Sequence, residues 1–133
     1  MPLPCFTFRL DPKSGVPVYR QIIDQVLGAI ASGGLNGGDQ LPTVRQAAVE
    51  LSINPNTVAR SYRELEIRGI VATQQGIGTF ITPQLVKPDE AERQRQLSRL
   101  VGDFMARAGG EGFSAEDVLG RIHEFVLEQR RSS

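Results

Sequence analysis

Leu41-Pro42-Thr43-Val44-Arg45-Gln46-Ala47-Ala48-Val49-Glu50-Leu51-Ser52-Ile53-Asn54-Pro55-Asn56-Thr57-Val58-Ala59-Arg60-Ser61-Tyr62-Arg63-Glu64-Leu65 is the stretch on which the fold turns. Thr43 and Gln46 have the spacing of a capping box, in which each side chain bonds the other residue's backbone N–H and starts a helix. Val44, Ala47, Ala48 and Leu51 then recur as one apolar stripe. Only Ser52 and Ile53 follow before Asn54-Pro55, a good cap and a good first helical residue, opens a second helix. At about 100° per residue, Val58, Ser61, Tyr62 and Leu65 share one side of it and should face the interior. Asn56, Ala59, Arg60 and Arg63 fall together on the opposite side. Two short helices joined by a tight turn, the second showing guanidinium and carboxamide groups around a small alanine, form a helix-turn-helix. The chemistry suits a DNA major groove: arginine forks onto guanine, asparagine pairs with adenine, and a small side chain admits close approach.

Upstream, a helix is expected from Pro17, with Tyr19, Ile22, Ile23, Val26 and Ile30 on its buried face. Gly33-Gly34 stop it, and Gly37-Gly38 mark a further tight turn. Before it, the alternation of Phe6, Phe8 and Leu10, ended by Asp11-Pro12, predicts a small edge strand. Downstream of Arg68-Gly69 the period changes. Ile70, Val71 and Thr73, then Gln74-Gln75-Gly76-Ile77-Gly78, then Thr79-Phe80-Ile81-Thr82 predict a hairpin, which behind a helix-turn-helix is a wing.

The chain breaks at Thr82-Pro83 and again at Lys87-Pro88, and what remains reads as two helices. Leu97, Leu100, Val101, Phe104, Met105 and Ala108 line the first, ended by Gly109-Gly110. Ser114, with Asp117 three residues on, caps the second, whose inner face is Ala115, Val118, Leu119, Ile122, Phe125 and Val126. Two such helices bury too little surface by themselves. Their stripes need a partner, and the expectation is a two-fold homodimer built by Leu97, Leu100, Val101, Phe104, Val118, Ile122 and Phe125. The competing arrangement packs the pair on its own first domain. The organisation is thus a DNA-binding domain over 1–83 and a dimerisation domain over 84–133. The fold class is mainly α with a small β-wing: a winged helix-turn-helix followed by a C-terminal two-helix hairpin.

Composition narrows function further. The 133 residues carry 15 Lys+Arg and 15 Asp+Glu, so there is no bulk positive charge, and any affinity for nucleic acid must come from a local face. Nothing approaches the roughly 18 apolar residues of a membrane helix, and the first residues do not read as a secretion signal. A single cysteine, Cys5, excludes an internal disulfide and suits a reducing cytoplasm. His123 is the one histidine, and with no clustered ligands, nucleophile set or phosphate loop, neither metal nor cofactor nor enzyme activity is expected.

The runs Leu41-Pro42-Thr43-Val44-Arg45-Gln46, Asn54-Pro55-Asn56-Thr57-Val58-Ala59-Arg60-Ser61-Tyr62-Arg63-Glu64-Leu65-Glu66 and Gly76-Ile77-Gly78-Thr79-Phe80 resemble the winged helix-turn-helix of bacterial GntR-family transcription regulators. The opening Asp11-Pro12-Lys13-Ser14-Gly15-Val16-Pro17-Val18-Tyr19-Arg20-Gln21-Ile22 strengthens the likeness. The Asn-Pro-Asn-Thr-Val-x-Arg-x-Tyr form is similar to the YtrA-type and MocR-type subgroups, and the short tail favours the YtrA type. The resemblance implies DNA contacts by Arg45, Asn56, Thr57 and Arg60, with Gly76 at the wing tip. Arg63 and Gln75 join the candidates by position. Pro55 and Gln75 stand where many relatives carry arginine, which makes this face less basic. A two-fold dimer would read a double-stranded, near-palindromic operator with half-sites about one helical turn apart and repress by occluding a promoter. The resemblance also implies frequent control of transporter operons, while the short tail offers no evident cavity and leaves any small-molecule effector unidentified. The rival function is a winged helix that assembles with other proteins, against which the polar face around Ala59 argues, since binding anchors are usually large and apolar.

Overall fold

The computed structural model describes residues 6–83 and 89–132, with side chains as far as Glu128. Cys5 and the Lys87-Pro88 break lie outside the described residues. The chain separates after Pro83 into two units.

In the first unit, α1 (Val18–Ser32), α2 (Val44–Leu51) and α3 (Pro55–Ile67) precede a hairpin of β1 (Val71–Gln74) and β2 (Gly78–Ile81). Pro17 is the residue before α1 rather than its first, a shift within the ordinary ambiguity of helix ends. Ile22, Ile23, Val26 and Ala29 are its buried face, with Tyr19 and Ile30 half-buried beside them. Both arms of the α2 capping box form: Thr43 Oγ1 accepts from Gln46 N–H at 3.0 Å, and Gln46 Oε1 accepts from Thr43 N–H at 2.9 Å. Asn54 caps α3 by accepting from Asn56 N–H at 2.8 Å.

The inward side of α3 is the one its spacing dictates. Val58, Ser61, Tyr62 and Leu65 are all buried, and they join Leu35, Leu41, Ala47, Ala48, Val71 and Ile81 in one core. The Ser61 hydroxyl lies 2.9 Å from Tyr19 O and 3.1 Å from Thr57 O, so it ties α3 to α1. The Tyr62 hydroxyl donates to Pro42 O at 2.7 Å and ties α3 to the approach of α2. Burial, and secondarily the charge of Glu50, push the Tyr62 phenol well above its ordinary pKa, so it stays a donor. Tyr62→Phe would leave Pro42 O without its partner at an expected cost of about 1–2 kcal/mol. A lowered urea midpoint with unchanged slope is the measurement that checks it.

β1 and β2 pair antiparallel, Val71 opposite Ile81 and Gln74 opposite Gly78. A second partner of β2 was not legible in the sequence. Residues 38–41 run along its other edge, with Leu41 N–H to Thr79 O at 2.9 Å, Ile81 N–H to Asp39 O at 2.8 Å and Gly38 N–H to Ile81 O at 2.8 Å. Gly78 holds a φ of +151°, and a Cβ there would run into the Gln40 carboxamide.

The edge strand expected over Phe6, Phe8 and Leu10 is not formed; no strand occurs in residues 6–16. The alternation does bury Phe8, which packs edge-on to Phe6 and lies 6.3 Å from the Tyr62 ring. The backbone partner, however, is a helix. Gln25 takes both the N–H and the carbonyl of Arg9, while Gln21 accepts from Asp11 N–H and donates to Asp11 O and Val16 O. A carboxamide offers donor and acceptor together, so two of them one turn apart replace a strand's ladder.

The second unit holds α4 (Glu90–Gly110) and, as far as Glu128, α5 (Ala115–Ser132). Gly109 and Gly110 are the last two residues of α4, which ends where the sequence places its stop. The turn just beyond is closed by Gly112, at φ +91°, with Gly112 N–H to Gly109 O and Phe113 N–H to Ala108 O, the paired bonds of a Schellman turn. Ser114 and Asp117 cap α5 reciprocally at 2.9 and 3.1 Å, and the Ser114 N–H and hydroxyl hold the Asp117 carboxyl below its ordinary pKa. Ala108 is the one buried residue among 89–128.

Candidate nucleic-acid interface

With Val58, Ser61, Tyr62 and Leu65 inside, the geometry of α3 leaves Asn56, Arg60 and Arg63 exposed together on its outer side. Thr57 and Ala59 are half-buried at the margin of that face. The cap fixes where the helix begins, because Asn54 spends its side-chain oxygen on the Asn56 N–H, and Asn56 itself is exposed. Arg45 is exposed one residue into α2, where the helix dipole disfavours a cation; a phosphate beside it would relieve that.

Charge pairing separates these arginines from Arg20 and Arg68, although Arg9 and Arg107 also lack a carboxylate within 4.0 Å among the described residues. Arg20 pairs with Asp24 at 3.5 Å within α1, and Arg68, which caps the end of α3, pairs with Glu64 at 3.3 Å. Among the described residues Arg45, Arg60 and Arg63 have no carboxylate within 4.0 Å. A neutral chain thus still presents unneutralised guanidinium groups on one helix and the start of another. Arg60 does have a partner of another kind: its Cζ lies 3.8 Å from the centroid of the Tyr19 ring. Spacing placed Tyr19 on the apolar face of α1 but carried no sign of this stack.

Gln75 and Gly76 sit exposed at the hairpin turn, Gly76 at φ +78°, and Ile77 N–H closes the turn on Gln74 O at 2.9 Å. The hairpin is tied back to α3 by Glu66, whose Oε2 accepts from Thr73 N–H at 3.3 Å. Glu66 was not among the sequence candidates; its partner lies seven residues on, beyond the end of α3, and no periodicity links the two. His123 is exposed on α5, and no group of three or more His, Cys, Asp or Glu able to hold a metal occurs among the described residues. No helix among them is long and apolar enough to cross a membrane.

Comparison with known proteins bears on this geometry. The family described as "Bacterial regulatory proteins, gntR family" matches residues 18–81, the span from α1 through β2. The HTH-type transcriptional repressor YtrA of Bacillus subtilis is 37% identical over 124 residues, covering 90% of this chain and 89% of that one. The HTH-type transcriptional regulator Rv1152 of Mycobacterium tuberculosis is 42% identical over 102 residues, covering 77% and 81%. Among solved structures, YtrA from Sulfolobus acidocaldarius, a GntR-family transcription factor, aligns with a TM-score of 0.54 at 30% identity over 91% of this chain and 97% of its own. The likeness to the two YtrA proteins runs past the winged unit into α4 and α5. The chain therefore belongs to the GntR family of bacterial transcription regulators, with the DNA-binding winged helix-turn-helix of that family and the short tail of its YtrA-type members.

Proposed function

We propose that this regulator is a cytoplasmic repressor that binds an inverted-repeat operator as a homodimer, laying α3 in the major groove of each half-site. The observation that carries this reading is the two-sidedness of α3, with four interior residues buried and Asn56, Arg60 and Arg63 left outward. In this reading Asn56 and Arg60 contact base edges, and Arg63 extends the same face toward bases or phosphate. Thr57 and Arg45 hold phosphates, and the wing brings Gln75 and the Gly76 backbone against the flanking DNA. Repression is taken from the YtrA relative of Bacillus subtilis, which carries that name. No covalent chemistry enters the role, and none is proposed.

The dimer would be made by α4 and α5 through Leu97, Leu100, Val101 and Phe104 on one helix and Val118, Ile122 and Phe125 on the other. Among these Leu100 is 67% exposed and Phe104 56% exposed in the single chain, a poor resting state for large apolar groups.

Selection of bound duplexes from a random pool with the full chain tests the proposal. An inverted repeat with half-sites about one helical turn, roughly 10 bp, apart is the expected result. Recovery of unrelated sequences, or equal saturation on scrambled duplex, would reject specific recognition. Arg45→Ala should weaken binding to all duplexes alike and lower the salt slope by about one per subunit. A loss confined to the selected sequence would instead move Arg45 from anchoring to reading.

A further inference from the structure

We propose that Tyr19 on α1 is a positioning residue for Arg60, holding its guanidinium in the orientation from which it selects a base. The inference rests on the reading that α3 enters the major groove. An exposed arginine has several free torsions, and their ordering on contact opposes binding. Here the Arg60 Cζ sits 3.8 Å above the Tyr19 ring centroid, with no carboxylate competing for it. A carboxylate partner would occupy the N–H edge of the guanidinium, the edge a guanine needs. An aromatic ring occupies the flat face instead and leaves the N–H groups pointing outward.

The ring is itself fixed. Tyr19 is half-buried and packs against the core, and its carbonyl lies 2.9 Å from the hydroxyl of fully buried Ser61, the residue following Arg60. One short segment of α3 is therefore joined to Tyr19 twice, through the backbone on its inner side and through the ring on its outer side. Asn56 lies four residues before Arg60, one turn along the same face. Holding Arg60 over the ring thus fixes its offset from Asn56, which is the spacing a pair of base contacts requires.

The test compares full-length Tyr19→Phe and Tyr19→Leu with Arg60→Ala on the duplex recovered by selection and on single-base variants of it. Tyr19→Phe keeps the π face and should bind within about twofold of the parent. Tyr19→Leu should lose roughly three- to tenfold on the selected duplex. That loss should vanish on the variant altered at the base whose preference Arg60→Ala relaxes, with random-duplex affinity and salt slope unchanged. Equal loss on selected and random duplex, or failure of Tyr19→Phe to restore binding, would reduce Tyr19 to a packing residue. A separate readout needs no DNA and no leucine variant. Lying over the ring, the Arg60 side-chain N–H protons should resonate upfield of those of Arg63 in the unmodified protein, and unshifted protons would overturn the proposal. If Arg60→Ala changes base preference and Tyr19→Leu does not, this inference alone fails. If selection yields no sequence at all, the reading of α3 fails and takes this inference with it.

Discussion

A chain carrying Phe104→Asp and Ile122→Asp is expected to run as a monomer on size exclusion, to melt as a folded protein, and to lose roughly a hundredfold or more of operator affinity. Phe104 and Ile122 stand 56% and 52% exposed, in the middle of the apolar stripes of α4 and α5. Ala108 is the one buried residue among 89–128, so these helices hold almost no core of their own for a charge to disrupt. Their caps, Asp89 on Ala91 N–H and the Ser114–Asp117 box, are untouched by either substitution. Two aspartates from each protomer would instead have to enter the interface between copies, where an unpaired charge is not tolerated. Affinity falls because the second half-site is then bound from bulk solution rather than at the high effective concentration that a joined pair enjoys. Stopping the chain after Pro83 should reproduce the result, since the first unit has its own core. Persistence of the dimer in either form, or unchanged operator affinity, would remove the tail from the interface.

How far the sequence carried this reading depended on whether a feature had a period or a punctuation mark. Asn54-Pro55 and the Thr43–Gln46 box are local signals with local causes, and both helices begin where those residues place them. The interior of α3 was legible because four residues at helical spacing leave one way to bury Val58, Tyr62 and Leu65 together. Residues 6–10 show the limit of the same approach. Their alternation buried the right ring, but an alternating pattern cannot say whether the backbone will be satisfied by a strand or by Gln21 and Gln25. At the end of α4, Gly109-Gly110 marks the stop because each glycine weakens a helix by about 1 kcal/mol, and the helix does end at Gly110. The left-handed position just beyond is supplied by Gly112. The contacts that shape the site are between distant positions: Tyr19 with Arg60, residues 38–41 with β2, and Glu66 with Thr73. A single side-chain meeting across that separation has no repeat to betray it, so it becomes visible only once the core has set the distance between α1 and α3.

Arg60→Ala should be the most damaging single change on the outer face, costing about 1–3 kcal/mol on the operator, or roughly fivefold to 150-fold in affinity. The expectation follows from what the side chain could lose. A forked contact to one base carries both hydrogen bonds and the rejection of other bases, so its removal should flatten the preference at one position of each half-site. Removing a phosphate contact would lower affinity without touching preference. Arg60→Lys separates these effects, since lysine keeps the charge but cannot present two parallel N–H groups. The lysine variant should therefore retain much of its random-duplex binding while discriminating little better than the alanine variant. Stability is a poor alternative explanation, because Arg60 is exposed and its contact with Tyr19 is a surface one worth about 0.5–1 kcal/mol in such settings. Anisotropy titrations of the three proteins on the selected duplex and its single-base variants decide the matter. If alanine lowers affinity equally on every duplex and lysine restores it, Arg60 is an anchor, and base selection on α3 must be sought at Asn56 and its neighbours instead.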